Sequence, residues 1–367
     1  MKHLLLVPEL SSIGGMQLLH RLLIQAMDRF LDEYGGQLLV YSLNDNAGTI
    51  PHSSLKGLKV TNIKSFGRDR RHFCLHALSA FPGTQHVFYG LLGFTPLALF
   101  QTMIAPYSRR HLLIHGVEAW DNRGHIYALS ARHMTGVISI SQHTLNRYRQ
   151  AYKIRISQPG FVLPCCLGSD YQPSESTPLR RDGAFRLLSA ARLVAEEQYK
   201  GIDTVLRALP KLLEAFPELV YVVIGDGSDR RRLENLAKQL DVERNVQFRG
   251  FVTKYELERE YRDCDLYVMP SAGEGFGIVF IEAMAFGKPV VAARAGATPE
   301  VIEHGITGML VQYGDVAELG DVLNLLLVNT ELRREMGLRG ARCAMERYTF
   351  EAFCQRTAKL MYHLIQG

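Results

Sequence analysis

The 367-residue chain has no unbroken run of about 20 apolar residues, the length that a membrane-spanning helix requires. The nearest approach lies between Arg71 and Arg109, where no Lys, Arg, Asp or Glu occurs. Pro82, Gly83, Thr84, Gln85, Thr95, Pro96 and Gln101 interrupt it, so it reads as a buried strand, His86 to Tyr89, and a following helix, Thr95 to Met103. The apolar start, Met1 to Pro8, is too short for a secretory signal and reads as a first buried strand. The six cysteines, Cys74, Cys165, Cys166, Cys264, Cys343 and Cys354, include no C-x-x-C pair. Adjacent Cys165 and Cys166 suit neither a zinc site nor an ordinary disulfide, and a reducing cytoplasm is expected. There is no low-complexity tract and no internal repeat. The basic and aromatic motif of a nucleic-acid reader is also missing, so no nucleic-acid partner is expected.

What is present is the composition of a globular enzyme, 47% hydrophobic and 22% charged, in a chain long enough for two cores. Charge is uneven. Residues 1–168 hold 17 Lys and Arg against 8 Asp and Glu, net +9; the remainder holds 25 against 29, net −4. Eleven of the thirteen histidines also fall in the first half, which points to an anionic partner there. Lys64, Arg68, Arg70 and Arg71, with Phe66 and Phe73 interleaved, form a candidate contact for an anionic bilayer or a lipid diphosphate. A solvated loop is the plainer reading of the same residues.

Strand-length apolar runs alternate with helix-period segments. Leu4 to Val7, Gln37 to Tyr41, Leu112 to Ile114 and Gly136 to Ile140 read as strands; Met16 to Phe30 reads as a helix, and Ser141 as the cap of another. A helix-poor stretch from Gln158 to Pro173 reads as a link. The alternation then resumes with Phe185 to Ala191 and runs through helices Asp203 to Phe216, Asp229 to Leu240 and Lys254 to Asp263, with strands between them. Two terminal helices are expected, Val316 to Leu327 and Thr349 to Ile365. This is α/β alternation of two doubly wound Rossmann-like domains, each presenting the carboxyl ends of its strands to a shared central cleft. The expected division is 1–167, 168–347 and a last helix, 348–367, crossing back to the first domain.

The segment from Ser271 to Val291 places Glu274 and Glu282 eight residues apart around the glycine-rich turn Gly275-Phe276-Gly277, which opens an apolar helix. Backbone N–H groups of such a turn, with the helix start, suit a phosphate, and the two carboxylates suit sugar hydroxyls. Arg192 and Lys200 follow an earlier strand and can neutralise a diphosphate, or stand in a solvated loop. Gly225-Asp226-Gly227 ends one strand. Phe248-Arg249-Gly250-Phe251-Val252 ends the next, and its backbone suits a flat base or a plain turn. Asp263-Cys264-Asp265 has the look of a metal-binding Asp-x-Asp, but it joins a helix end to a buried strand and is expected to be structural; no metal site and no cofactor is expected.

Together these pieces resemble the retaining glycosyltransferases of family 4, which have the GT-B fold. The likeness rests on Arg192-Leu193 with Lys200-Gly201, Gly225-Asp226-Gly227, Phe248-x-Gly250, Pro270-Ser271, Glu274-x7-Glu282, Gly287-Lys288-Pro289-Val290-Val291 and Gly305 to Val311. In the first half, Gly14-Gly15 resembles the family's first glycine loop and His115-Gly116 its active-site histidine. The link departs from many members, reading Pro164-Cys165-Cys166-Leu167-Gly168 in place of Pro-Asn-Gly-Val-Asp.

The resemblance implies transfer of a hexose-type sugar, with retention, from a nucleotide-diphosphate donor to a glycan or lipid-linked acceptor. The setting would be polysaccharide or glycolipid synthesis in the cytoplasm, including peripherally at the membrane's inner face. Glu274, His115, Arg192 and Lys200 would be the catalytic set. Gly14, Gly15, Phe251, Val252, Gly275, Phe276, Gly277, Ile278, Val279 and Glu282 would bind the donor, Glu282 at the ribose. No carboxylate nucleophile stands out in the first half, where Glu9 and Glu118 are nearest. A nucleotide-sugar 2-epimerase of the same fold and a non-catalytic sugar-nucleotide-binding subunit are the alternatives.

Overall fold

A computed structural model describes every residue except 13, 47–54, 56, 156, 169–170, 172–183 and 367. The chain forms two compact units, Met1–Ser169 with Thr349–Gly367, and Asp170–Tyr348.

The first unit runs β1 (Lys2–Val7), α1 (Gly15–Tyr34), β2 (Gln37–Ser42), β3 (Thr61–Ser65), α2 (Arg70–Ala80), β4 (His86–Tyr89), α3 (Pro96–Ile104), β5 (Arg109–Ile114), α4 (His125–Arg132), β6 (Gly136–Ser139), α5 (Gln142–Tyr152) and β7 (Gly160–Val162). Its seven strands are all parallel, in the order β3-β2-β1-β4-β5-β6-β7. Continuous apolar strands such as Leu4 to Val7 are buried on both faces because helices cover both. On one face Leu4, Leu6, Val87 and Leu112 pack with Phe73 of α2, Ala98 of α3, Ala131 of α4 and Tyr148 of α5.

The second unit runs β8 (Arg186–Ala190), α6 (Ile202–Ala215), β9 (Val220–Ile224), α7 (Arg230–Gln239), β10 (Val246–Gly250), α8 (Lys254–Asp263), β11 (Leu266–Met269), α9 (Ile278–Ala285), β12 (Val290–Ala293), α10 (Thr298–Val301), β13 (Gly308–Val311), α11 (Val316–Val328) and α12 (Thr330–Arg347). Its six strands are likewise parallel, in the order β10-β9-β8-β11-β12-β13. The final helix, α13 (Phe350–Gln366), packs along α1 in the first unit, where exposed Arg29 and Glu351 pair at 2.6 Å. In each sheet the strand order reverses once, between β1 and β4 and between β8 and β11. These are the positions where doubly wound sheets open a crevice for ligands.

Several expectations are corrected. Phe66 and Phe73 belong to the core, 9% and 1% exposed, and Lys64 lies over the Phe66 ring and bonds His76. The interleaved aromatics therefore offer nothing to a bilayer. The histidines do not add surface charge in proportion to their number. His3, His86 and His111 form a buried row across β1, β4 and β5, with His86 Nδ1 2.9 Å from His111 Nε2. Burial holds their pKa values at about 3, about 4 and about 3, so they are neutral. The stretch read as a bare link contains β7, and β3, α2 and α12 were not foreseen. All six cysteines are free thiols.

Helix α12 escaped notice because its buried residues, Arg333, Met336, Gly337, Gly340 and Ala344, include a single large apolar side chain in a polar sequence. It packs on α9, and a Cβ at Gly337 would lie 2.0 Å from the Gly287 carbonyl oxygen. In an open helix Gly→Ala stabilises by up to ~1 kcal/mol. At Gly337 the sign should reverse. Urea unfolding of Gly337→Ala is expected to show a loss of ~1–3 kcal/mol from overpacking, and a gain would refute this packing.

Candidate active site

In the second unit, three strand-end loops converge on Glu274. The loop after β8 carries Lys200, whose Nζ donates to Glu274 Oε1 at 2.6 Å, with 18% and 9% of the two side chains exposed. β8 and β11 are neighbours, so the pair sits at the point where the strand order reverses. Burial opposes charge on Lys200, but Glu274 beside it outweighs burial and raises its pKa. The two loops are also tied through backbone, Ala272 N–H to the Tyr199 carbonyl at 2.9 Å. The loop after β12 completes the clamp. Ala297 N–H donates to the Glu274 carbonyl at 2.9 Å, and a Cβ on Gly296 would stand 2.7 Å from that same oxygen.

Arg192 lies on the same loop as Lys200 but takes a different place. Its guanidinium is mostly exposed and pairs with Glu197, at the rim of a small open recess that Lys200 also lines. The turn after β9 braces this loop: Gly225 adopts φ 121° with a Cβ position only 1.8 Å from the Ala191 carbonyl oxygen. Gly225-Asp226-Gly227 is thus a packing device for the Arg192 loop. Phe251, just past β10, is 80% exposed, and the next helix, α8, begins with a Thr253–Glu256 capping box.

Beyond Glu274 the chain turns through Gly275 and buried Phe276, which packs edge-on against Tyr348, to Gly277 in the left-handed conformation. Gly277 caps α9 without a side-chain acceptor. The amides of a helix's first turn, here beginning with Ile278 and Val279, have no partner within the helix and carry the positive end of its dipole. Glu282 lies one turn inside α9. Its Oε2 accepts from the Tyr261 hydroxyl of α8 at 2.9 Å, and its backbone carbonyl faces the Tyr171 hydroxyl at 3.3 Å. Burial pushes the Glu282 carboxyl up to about 7, partly offset by the Tyr261 hydroxyl. The two carboxylates of the segment therefore have different partners, an ammonium for Glu274 and a phenol for Glu282.

The first unit arranges its own strand ends. The loop from β1 to α1 is pinned by buried Asp45, which accepts from Leu10 N–H at 2.7 Å, Ser11 N–H at 3.1 Å and the Ser42 hydroxyl at 2.5 Å. Arg21 closes the loop from the helix side, donating to the Leu10 carbonyl at 2.5 Å. Gly14 is the N-cap of α1 and Gly15 its first residue. His115 follows β5, its ring meeting His20 of α1 edge-on at 4.9 Å. Glu118 accepts from the backbone N–H groups of His115 and Gly116 at 2.6 and 3.1 Å, and its carboxylate stands 3.6 Å from His115 Nδ1. Burial pushes the Glu118 carboxyl up, but His115 outweighs it and holds it below the usual range. This fixes Glu118 as a brace of the His115 turn. Apart from Glu118 at Nδ1, the His115 ring has no hydrogen-bond partner among the described residues, and it borders a small apolar recess lined by Leu19, Leu23, Ile138 and Ile140.

Among the described residues no group of three His, Cys, Asp or Glu is placed to hold a metal ion. Asp265 is structural: its carboxylate accepts from Arg186 N–H at 2.8 Å, tying β11 to β8. Also among the described residues, no helix is long and apolar enough to cross a membrane.

Residues 174–342 match the family model described as Glycosyl transferases group 1. That segment contains Arg192, Lys200, Phe251, Glu274 and Glu282. An uncharacterised glycosyltransferase of Methanocaldococcus jannaschii is 34% identical over 180 residues, 49% of this chain and 45% of that protein. The GDP-mannose-dependent alpha-(1-6)-phosphatidylinositol monomannoside mannosyltransferase of Mycolicibacterium smegmatis is 33% identical over 169 residues, 44% of each chain. The chain thus spans about half the length of these curated relatives. Over 99% of this chain and 100% of that one, the crystal structure of Anabaena HepE in complex with UDP aligns with a TM-score of 0.78 at 22% identity. The fold is GT-B.

Asp45, Arg21, Tyr261 and Gly296 were not singled out from sequence. They are isolated polar or small residues far from the motifs they support, with no local spacing to mark them. Tyr199 adjoins Lys200, and only the tie between the two loops gives it a role. The geometry makes Lys200 and Glu274 one unit. In a double-mutant cycle by urea unfolding, Lys200→Met alone should destabilise by ~3 kcal/mol, since it strands a buried charge. Lys200→Met with Glu274→Gln should recover part of that, giving a coupling of ~1–3 kcal/mol. Additive losses would mean that the pair is not formed in solution.

Proposed function

We propose that the protein is a retaining glycosyltransferase of family 4 that moves a hexose from a nucleotide-diphosphate donor to a hydroxyl of a glycan or lipid-linked acceptor. The observation that carries this reading is the buried Lys200–Glu274 pair at the reversal point of the second sheet, a few residues before the uncapped start of α9. Support comes from the family match over residues 174–342 and from the relatives named above, one GDP-mannose-dependent and one crystallised with UDP.

In this reading the anomeric C–O bond breaks, leaving positive charge on the sugar and negative charge on the departing nucleoside diphosphate. Lys200, Arg192 and the first-turn amides of α9 stabilise the diphosphate, as preorganised donors do for developing anions. They do the work a divalent cation would otherwise do, and the scheme needs no metal. Glu274 holds hydroxyls of the donor sugar and offsets the oxocarbenium charge. Glu282 accepts from the ribose hydroxyls, and Phe251 and Val252 lie against the base. The acceptor oxygen attacks the same face of the sugar, its proton passing to the leaving phosphate. In the first unit, His115, whose Nδ1 faces Glu118 and whose Nε2 has no hydrogen-bond partner among the described residues, is assigned to the sugar or acceptor, and Gly14 and Gly15 to the donor.

A thermal-shift screen of UDP, GDP and ADP, each free and as a hexose conjugate, tests the donor class, since a ligand that binds only the folded state raises its melting temperature. Stabilisation by none of them would remove the proposal. With the donor known, Glu274→Ala is expected to lower kcat by about a hundredfold or more, and product analysis should show a retained anomeric configuration. Near-normal transfer by that variant would end the assigned role.

Glu282 yields a pH prediction. Its carboxyl sits at about 7, and the carboxylate, with both oxygens free to accept and a full charge, accepts from ribose hydroxyls more strongly than the acid does. Donor affinity should therefore be full above that value and fall by up to about tenfold per pH unit below it. Calorimetric titration of parent and Glu282→Gln across this range checks it: the variant should bind weakly with little pH dependence, and a parent profile as flat as the variant's would contradict the assignment.

A further inference from the structure

The helical layer α2–α4 of the first unit is built outward in a way that water does not favour. In α3 the polar residue Gln101 is fully buried, accepting from the Tyr89 hydroxyl at 2.5 Å and donating to the Ser108 hydroxyl at 2.8 Å. Phe100, Met103 and, just past the helix, Tyr107 point outward instead, 56%, 79% and 97% exposed. A helix on a water-covered surface shows the opposite arrangement. The neighbours continue the pattern: α4 exposes Ile126 and Leu129, and α2 exposes Leu75. Singly exposed apolar side chains are ordinary. A group of them on three adjacent helices marks an interaction surface.

The charge of this layer is of one sign. None of α2, α3 and α4 contains an Asp or Glu, whereas Arg70, Arg71 and Arg132 on α2 and α4 are exposed. Protruding aromatic and Met side chains, in a layer whose helices carry exposed arginines and no carboxylate of their own, fit the boundary of a lipid bilayer with negative headgroups; the nearest acid, Asp69 at the start of α2, is held by His72. The residues differ from the Phe66 and Phe73 expected to supply such a contact, since those two face the core.

We propose that α2–α4 dock this protein on an anionic bilayer, with Phe100, Met103 and Tyr107 entering the headgroup layer and Arg70, Arg71 and Arg132 meeting lipid phosphates. The inference does not rest on the sugar-transfer reading. It is tested by flotation of the full chain with vesicles of phosphatidylglycerol mixed with phosphatidylcholine, and with vesicles of phosphatidylcholine alone. Binding to the mixed vesicles, weakened by salt, is expected. A Phe100→Ser/Met103→Ser/Tyr107→Ser variant and an Arg70→Gln/Arg71→Gln/Arg132→Gln variant should each lose about tenfold or more in partitioning. Both sets are exposed, so unfolding midpoints should match the parent's, and nucleotide-induced thermal shifts should be unchanged, which separates this result from any failure of the donor reading. Equal binding to neutral vesicles, variants that bind like the parent, or self-association through these residues without vesicle binding would each overturn the proposal.

Discussion

A buried ammonium and a buried carboxylate are each unfavourable alone and tolerable only together and in good geometry. The Lys200–Glu274 pair meets that condition, and much of the second unit's C-terminal edge is organised to keep it so. Glu274 cannot drift, because its carbonyl is held by Ala297 and crowded by Gly296. Lys200 cannot swing far, because its loop is stitched to the residue pair before Glu274 through Tyr199 and Ala272. Three strand-end loops are therefore fixed relative to one another before any ligand arrives. A site whose polar groups are already aimed has little left to reorganise when charge develops.

The pairing also shapes how an anion would enter. With Glu274 as its neighbour, Lys200 has its charge compensated, so the pocket is not a bare cation waiting for phosphate. Arg192 is similarly engaged by Glu197, but at the exposed rim where such pairs are weak. A diphosphate can displace Glu197 at little loss and share Lys200 with Glu274, provided the sugar's hydroxyls satisfy the carboxylate. Under the proposed reading the phosphate and the sugar are recognised jointly, since neither alone satisfies both members of the pair.

Much of this was legible in sequence because it follows from local periodicity and turn chemistry. Strand Val220–Ile224 and helix Lys254–Asp263 have the bounds their patterns imply, since a run of β-branched and aromatic residues and a capping box are local signals. The two-sheet α/β class followed from the alternation. What failed was non-local. Phe66 and Phe73, flanked by arginines, look like a surface patch until β3 and α2 turn both rings into the core. The buried histidine row needs three strands of distant sequence to come together. Helix α12 hides its packing face in glycines. Glu118 was, with Glu9, the nearest option for a nucleophile, and only the backbone geometry at His115 shows it holding a turn.

The eight-residue spacing of Glu274 and Glu282 acquires a physical meaning from the structure. It places the first carboxylate in a loop and the second one turn inside a helix. The loop position permits an ion pair, because a lysine from a neighbouring strand end can reach it. The helical position is different: α9 is apolar on its other faces, and the Tyr261 phenol of α8 donates to the Glu282 carboxylate. One residue type thus acquires two characters. Glu274 stays paired with a charge, suited to sensing charge on a ligand, while Glu282 hovers between acid and carboxylate near neutral pH, suited to exchanging hydrogen bonds with hydroxyls. In the proposed reading, the environment of each acid, more than its identity, separates a group at the reacting sugar from a group that grips the far end of the same molecule.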